Sequence, residues 1–149
     1  MIKKIIYCIT AFVFVFQLAG CSVNKQSAQV LQSIKLDKEK IMYVEKFHAD
    51  GRGIDQLIAA ELTKRGYKAI SVGQVDASLE NVGIIVTYFD KWIWDLSMYM
   101  LELDVQFRSP KDRFSLVKGN SYHTSLTRKS PEEMVSEVIG NMLKKIENQ

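Results

Sequence analysis

A two-layer α/β sandwich is the fold this sequence predicts: an α/β (α+β) chain in which about five strands form a mixed sheet carrying two main helices. Three observations lead there. Residues 41 to 72 read as strand, helix, strand, an order that implies a right-handed parallel crossover. Residues 99 to 107 then switch to a period of two and return after a turn at Ser109-Pro110-Lys111-Asp112, which is the pattern of an antiparallel hairpin. Two helical apolar stripes remain, and each needs a sheet to cover it. The predicted order is β-α-β-β-β-β-α, closing on a C-terminal hairpin and helix.

The first strand is the apolar run Ile41 to Phe47, rich in β-branched and aromatic residues. The loop His48-Ala49-Asp50-Gly51-Arg52-Gly53 breaks it. From Ile54 the apolar residues fall at Ile54, Leu57, Ile58 and Leu62, a helical stripe with Asp55 at its positive end and Lys64-Arg65 at its negative end. Gly66 suits the left-handed conformation that stops a helix. Tyr67 to Val72 is the second strand. Val82 to Phe89, with Ile84, Ile85 and Val86 in succession, fits a central strand covered on both faces.

In the fourth strand Tyr99, Leu101, Leu103, Val105 and Phe107 alternate with Met100, Glu102, Asp104 and Gln106, so the first set is expected to face the core. Arg113 to about His123 returns as the fifth, with a bulge expected at Gly119. Ser130-Pro131-Glu132-Glu133 opens the last helix, because Ser130 can cap, Pro131 suits the first helical position and Glu133 completes a capping box. Its core stripe is Val135, Val138, Ile139, Met142, Leu143 and Ile146.

The N-terminus carries an address. Lys3 and Lys4 precede 14 mostly apolar residues, Ile5 to Leu18, a stretch too short to span a bilayer as a helix. It closes on Leu18-Ala19-Gly20-Cys21, which resembles the lipobox of a bacterial lipoprotein signal peptide. That resemblance implies cleavage before Cys21 and lipid on its sulfur. The division expected is a signal peptide at 1–20, a lipidated N-terminus with a flexible tether at 21–40, and one globular domain at 41–149. The tether rests on the Ser, Gln, Asn and Lys content of this stretch, with a short helix around Val30, Leu31 and Ile34 as the alternative.

Removing Lys3 and Lys4 with the leader takes the 20 basic residues to 18 against 17 acidic ones, so the mature domain is almost neutral. No basic cluster is denser than Arg128-Lys129 or Lys144-Lys145, which argues against nucleic acid as a partner. Of the 2 cysteines, Cys8 departs with the leader and Cys21 is the lipid site, so no disulfide is expected.

Catalytic patterns are weak. Gly51-Arg52-Gly53 between strand and helix invites comparison with a dinucleotide fingerprint, but Gln56 stands at the third glycine position and Asp55 would repel a phosphate. His48, Asp50 and His123 lack the spacing of a metal site, and a surface loop is the simpler reading. Ser71, Ser78, Ser97, Ser115, Ser121 and Ser125 have no nucleophile-elbow setting. Glu102 and Asp104 read as the solvated side of a sheet. No catalytic residue, metal or cofactor is assigned.

The least ordinary stretch is Tyr88 to Asp95, which holds both tryptophans. At strand period Tyr88, Asp90, Trp92 and Trp94 share a face. If the first and third strands run parallel, their carboxyl ends meet at one edge of the sheet, where open α/β sheets place ligands. The candidate binding set is then His48, Asp50 and Arg52 from the loop, Tyr88, Trp92 and Trp94 as a stacking surface, and Asp90 as a fixed carboxylate. The competing reading makes these aromatics core.

The element order over residues 41 to 146 resembles small mixed α/β domains of periplasmic envelope proteins, such as the amino-terminal domain of the Tol-system translocation protein and the curli-secretion lipoprotein. Glu61 to Tyr67 and Tyr88 to Asp95 also resemble short lipoproteins without an assigned activity. These resemblances imply a non-enzymatic binding or assembly module, lipid-anchored at the periplasmic face of the bacterial outer membrane. Its partners would be the membrane, through the N-terminal lipid, and an envelope protein. A hydrolase acting on envelope material, or an auxiliary lipoprotein of a transport complex, are the alternatives. Ser22 after the cysteine resembles the outer-membrane rather than the inner-membrane sorting pattern.

Overall fold

The computed structural model describes residues 24–76 and 79–149. The leader, Cys21 and Ser78 lie outside the described residues. Six strands form one sheet: β1 (Lys25–Val30), β2 (Ile41–Glu45), β3 (Lys68–Val72), β4 (Val82–Asp95), β5 (Ser97–Arg108) and β6 (Ser115–Tyr122). Helix α1 (Ile54–Lys64) joins β2 to β3, and α2 (Pro131–Glu147) ends the chain after a 3-10 turn at Ser125–Thr127. The spatial order is β1-β6-β5-β4-β2-β3. Strand β2 runs parallel to both β3 and β4, and the remaining pairs are antiparallel. This is the mixed α+β sandwich the periodicities predict, with one strand more.

That extra strand corrects the tether. Lys25–Val30 pairs residue for residue with β6, from Lys25 opposite Tyr122 to Val30 opposite Val117. The apolar content that suggested disorder is low because only Ala28 and Val30 turn inward onto the core, while the backbone ladder holds the rest. No helix forms at Val30 and Leu31. Ile34 and Leu36 beyond it also pack against the core, so the chain stays attached up to β2.

The core lies between the sheet and a single layer of two helices that also touch each other. On α2 the capping box is complete: Ser130 Oγ accepts from the Glu133 N–H at 3.2 Å, and Glu133 Oε2 accepts from the Ser130 N–H at 2.8 Å. Its expected stripe is buried from Val135 to Leu143, with Met134 added. Helix α1 ends as its sequence predicts, Gly66 taking a φ of 87°. Arg65 then ties the helices together, its Nε donating to Glu61 Oε1 at 2.7 Å and its Nη2 to the Ser136 carbonyl at 3.0 Å.

Two readings of β5 and β6 are overturned. Lys91 faces Glu102 while Trp92 faces Met100, so Leu101 is unmatched in the ladder. This bulge shifts the pleat by one residue, and Met100 is buried whereas Leu101 is only half-buried. Gly119 is no bulge. It pairs regularly with Val105, and a Cβ there would lie 2.5 Å from Met142 Cγ and 2.8 Å from Val138 Cγ2. The glycine lets α2 sit close to the sheet. The irregularity falls instead between Phe107 and Arg108, leaving Leu116 unmatched.

Candidate functional site

The parallel pairing of β2 with β4 brings their carboxyl ends to one edge, and the loop 48–53 folds over it. Asp50 organises that loop. Gly53, at the N-terminus of α1 with a φ of 75°, has no side chain to cap the helix. The Asp50 carboxylate supplies the cap from three residues back: Oδ1 accepts from the N–H groups of Arg52 (2.7 Å) and Gly53 (3.0 Å), and Oδ2 from Ile54 (2.7 Å) and Asp55 (3.4 Å). An anion thus already occupies the helix N-terminus, where a phosphate would otherwise bind.

Tyr88 fixes the loop to β4. Its hydroxyl donates to Asp50 Oδ2 at 2.6 Å and accepts from the Phe47 N–H at 3.1 Å. Burial pushes the Asp50 carboxyl up, but the Tyr88 hydrogen bond and the backbone donors outweigh it and hold the group at about 2. Burial, reinforced by the bond to Asp50, pushes the Tyr88 phenol well above its ordinary value. Tyr88 is therefore a neutral donor and Asp50 a fixed charge. Both are buried, so they serve as the floor of the site.

Arg52 is exposed, and it covers Trp92, which is half-buried and packs against the core. The Arg52 guanidinium lies over the indole, 4.2 Å from its centroid, and the indole N–H donates to Asp90 Oδ2 at 2.5 Å. Asp90 orients the ring and Arg52 stacks on it, a cation–π contact on a rigid strand. Asp50, Arg52, Tyr88, Asp90 and Trp92 are thus brought together. Trp94 is not. It lies one pleat repeat further out, 71% exposed and opposite Met98. His48 makes no contact with these groups beyond Phe47, its exposed ring lying edge-on to that ring at 4.6 Å.

Phe47, expected in the first strand, lies two residues past the end of β2 and is the hub between these groups, with ring contacts to Tyr88 and Phe89 as well. It and His48 border a shallow trough of about 320 Å³, and a second cavity of about 270 Å³ lies between Thr87, Tyr88, Arg108 and Arg113. Arg113 pairs there with Glu45. Periodicity could not have found this ion pair, because it joins residues 68 positions apart.

A second buried polar group corrects the surface-loop reading of His123. That residue is 2% exposed, with Nε2 2.9 Å from Glu137 Oε1. Ser121 Oγ donates to the same oxygen at 2.8 Å, and Lys129 pairs with the other. Burial pushes the Glu137 carboxyl up, but the Lys129, His123 and Ser121 donors pull it below its ordinary value. His48 and His123 do not converge, and among the described residues no group of three or more metal-binding side chains exists. Glu102 and Asp104 are half-buried and are bridged by Asn120 at 2.9 Å each.

No family model and no curated protein matches the chain. Its fold is similar to that of the PelC dodecamer from Paraburkholderia phytofirmans in two crystal forms. One gives a TM-score of 0.60 at 9% identity, covering 80% of this chain and 98% of that one. The other, a point variant, gives 0.57 at 10%, covering 83% and 97%. At these identities the likeness is one of fold. TolB from Acinetobacter baumannii aligns at a TM-score of 0.48 and 16% identity over 81% of this chain and 32% of its own, too low to speak for a shared fold.

Proposed function

We propose that the chain is a lipid-anchored module of the bacterial outer membrane, facing the periplasm, that binds or assembles rather than catalyses. The observation that carries this is the chemistry of the strand-end site. Exposed Arg52, stacked over the half-buried Trp92, offers a charged and aromatic surface suited to gripping a partner. Its carboxylate and phenol are spent on one another and on backbone N–H groups, which leaves neither of them placed for proton transfer. The lipobox supports the anchor. The assembly reading is supported by the likeness of fold to a protein described as a dodecamer.

The test is photo-crosslinking in intact envelopes from position 48, an exposed residue beside the site. A discrete adduct is expected, lost in Arg52→Ala while the melting curve is unchanged. Adduct formation indifferent to Arg52→Ala would remove this edge from the function. Mass spectrometry of the mature N-terminal peptide tests the anchor separately, with acyl chains on Cys21 as the expected result.

A further inference from the structure

The chain has little slack between its first described residue and Cys21. Asn24 is held against the domain by the Thr127 hydroxyl, and β1 begins at the next residue. Three residues reach at most about 10 Å. Thr127 ends the 3-10 turn whose middle residue, Leu126, is 86% exposed.

The same end of the molecule carries a projecting arm. Pairing of β5 with β6 starts at Glu102, opposite Lys91, so β4 and β5 run on past the end of β6 as a two-stranded ribbon, buried at its base at Met100 and exposed at Trp94, Leu96 and Met98. At its tip Leu96 is 91% exposed, with Trp94 at 71% and its cross-strand partner Met98 at 48%. Arg128 binds this tip to the 3-10 turn: its Nε donates to the Ser125 carbonyl at 3.1 Å, its Nη1 to Ser97 Oγ at 2.7 Å and its Nη2 to the Asp95 carbonyl at 2.5 Å, while the guanidinium covers the Tyr99 ring. The one carboxylate at the tip, Asp95, is paired with that same arginine at 3.2 Å.

We propose that Trp94, Leu96, Met98 and Leu126 form a second membrane contact, seated in the bilayer that carries the lipid on Cys21. The inference rests on the anchor reading above. An acyl anchor within about 10 Å of Asn24 leaves this end of the domain at the lipid surface, and interfacial side chains sink by a comparable depth of about 5–10 Å. Tryptophan, with an apolar body and one N–H, suits the headgroup boundary. The anchor and the patch together hold the domain in one orientation, with the Arg52 and Trp92 edge turned toward the membrane side.

Full-length protein extracted from envelopes as the Trp92→Phe variant keeps Trp94 as its reporter, since the chain has 2 tryptophans. It is reconstituted in phosphatidylcholine vesicles with and without bromine on the acyl chains. The expected result is blue-shifted Trp94 emission that brominated lipid quenches, with quenching abolished by Leu96→Asp combined with Leu126→Asp although the protein still floats with vesicles. Flotation without quenching overturns the proposal and leaves the anchor standing. Failure to float, with no acyl chains on the N-terminal peptide, overturns both. Blue-shifted emission that is unquenched and persists in detergent as a larger sedimenting species assigns the patch to a second copy, which also overturns it.

Discussion

At position 50 a carboxylate takes the place of a helix cap, and its charge is what the loop depends on. The group is held at about 2 against 3.8 when free, so the folded state binds fewer protons than the unfolded one between those values. The resulting stability is present above about pH 4 and is lost as the pH falls toward 2. Asp50→Asn should cost about 2 kcal/mol at neutral pH, and the deficit should shrink between pH 4 and pH 2. Urea unfolding over that range checks this; a deficit independent of pH would mean that shape, not charge, holds the loop. Arg52 is different, because it is exposed and stacks from outside. Arg52→Ala should change unfolding by no more than about 0.5 kcal/mol.

Helix α2 supplies most of the cover for the β1 to β6 half of the sheet, and two substitutions separate its faces. Ile139 is fully buried, so Ile139→Ala should cost about 2–5 kcal/mol, while exposed Lys145→Ala should be almost silent. Equal effects in denaturant titrations would mean the helix is rotated. The approach of α2 to β6 is set by Gly119, where an added methyl group meets Met142 and the stiff Val138 side chain. Gly119→Ala should destabilise by about 1–3 kcal/mol, and less in a Met142→Ala background, where part of the clash is removed. A Gly119→Ala protein as stable as its parent would show that the helix can ride up without loss.

For the whole molecule, the sheet is closed on one side by a strand whose composition looks like a linker. Deleting residues 24–31 would be harmless if they were a tether. With β1 paired to β6 and covered by α2, the deletion should instead bare the β6 edge and the inner apolar face, and lower the melting temperature sharply. Thermal unfolding monitored by circular dichroism, beside sedimentation to detect edge-to-edge association, checks both consequences. The same strand brings Asn24 to the sheet end that bears the β4–β5 arm.

Local pattern alone determined the two helices, the start of α2, the stop of α1 and the hairpin turn, because each is written in residues close together: Ser130 to Glu133, Gly66 after Lys64-Arg65, and Ser109 to Asp112. Parallel β2 and β4, which send loop 48–53 and the tryptophan stretch to one edge, were only a condition in the pattern, and the sheet pairing is what meets it. Tertiary structure decided the rest. Lys25–Val30 is a strand only because β6 offers it a ladder, and backbone hydrogen bonds leave no mark on composition. Met100 rather than Leu101 enters the core because a bulge, a property of two strands together, reverses the pleat. Asp50 and His123 read as surface polar groups until their partners from residues 88 and 137 arrive to satisfy them, and that burial depends on contacts made at a distance along the chain.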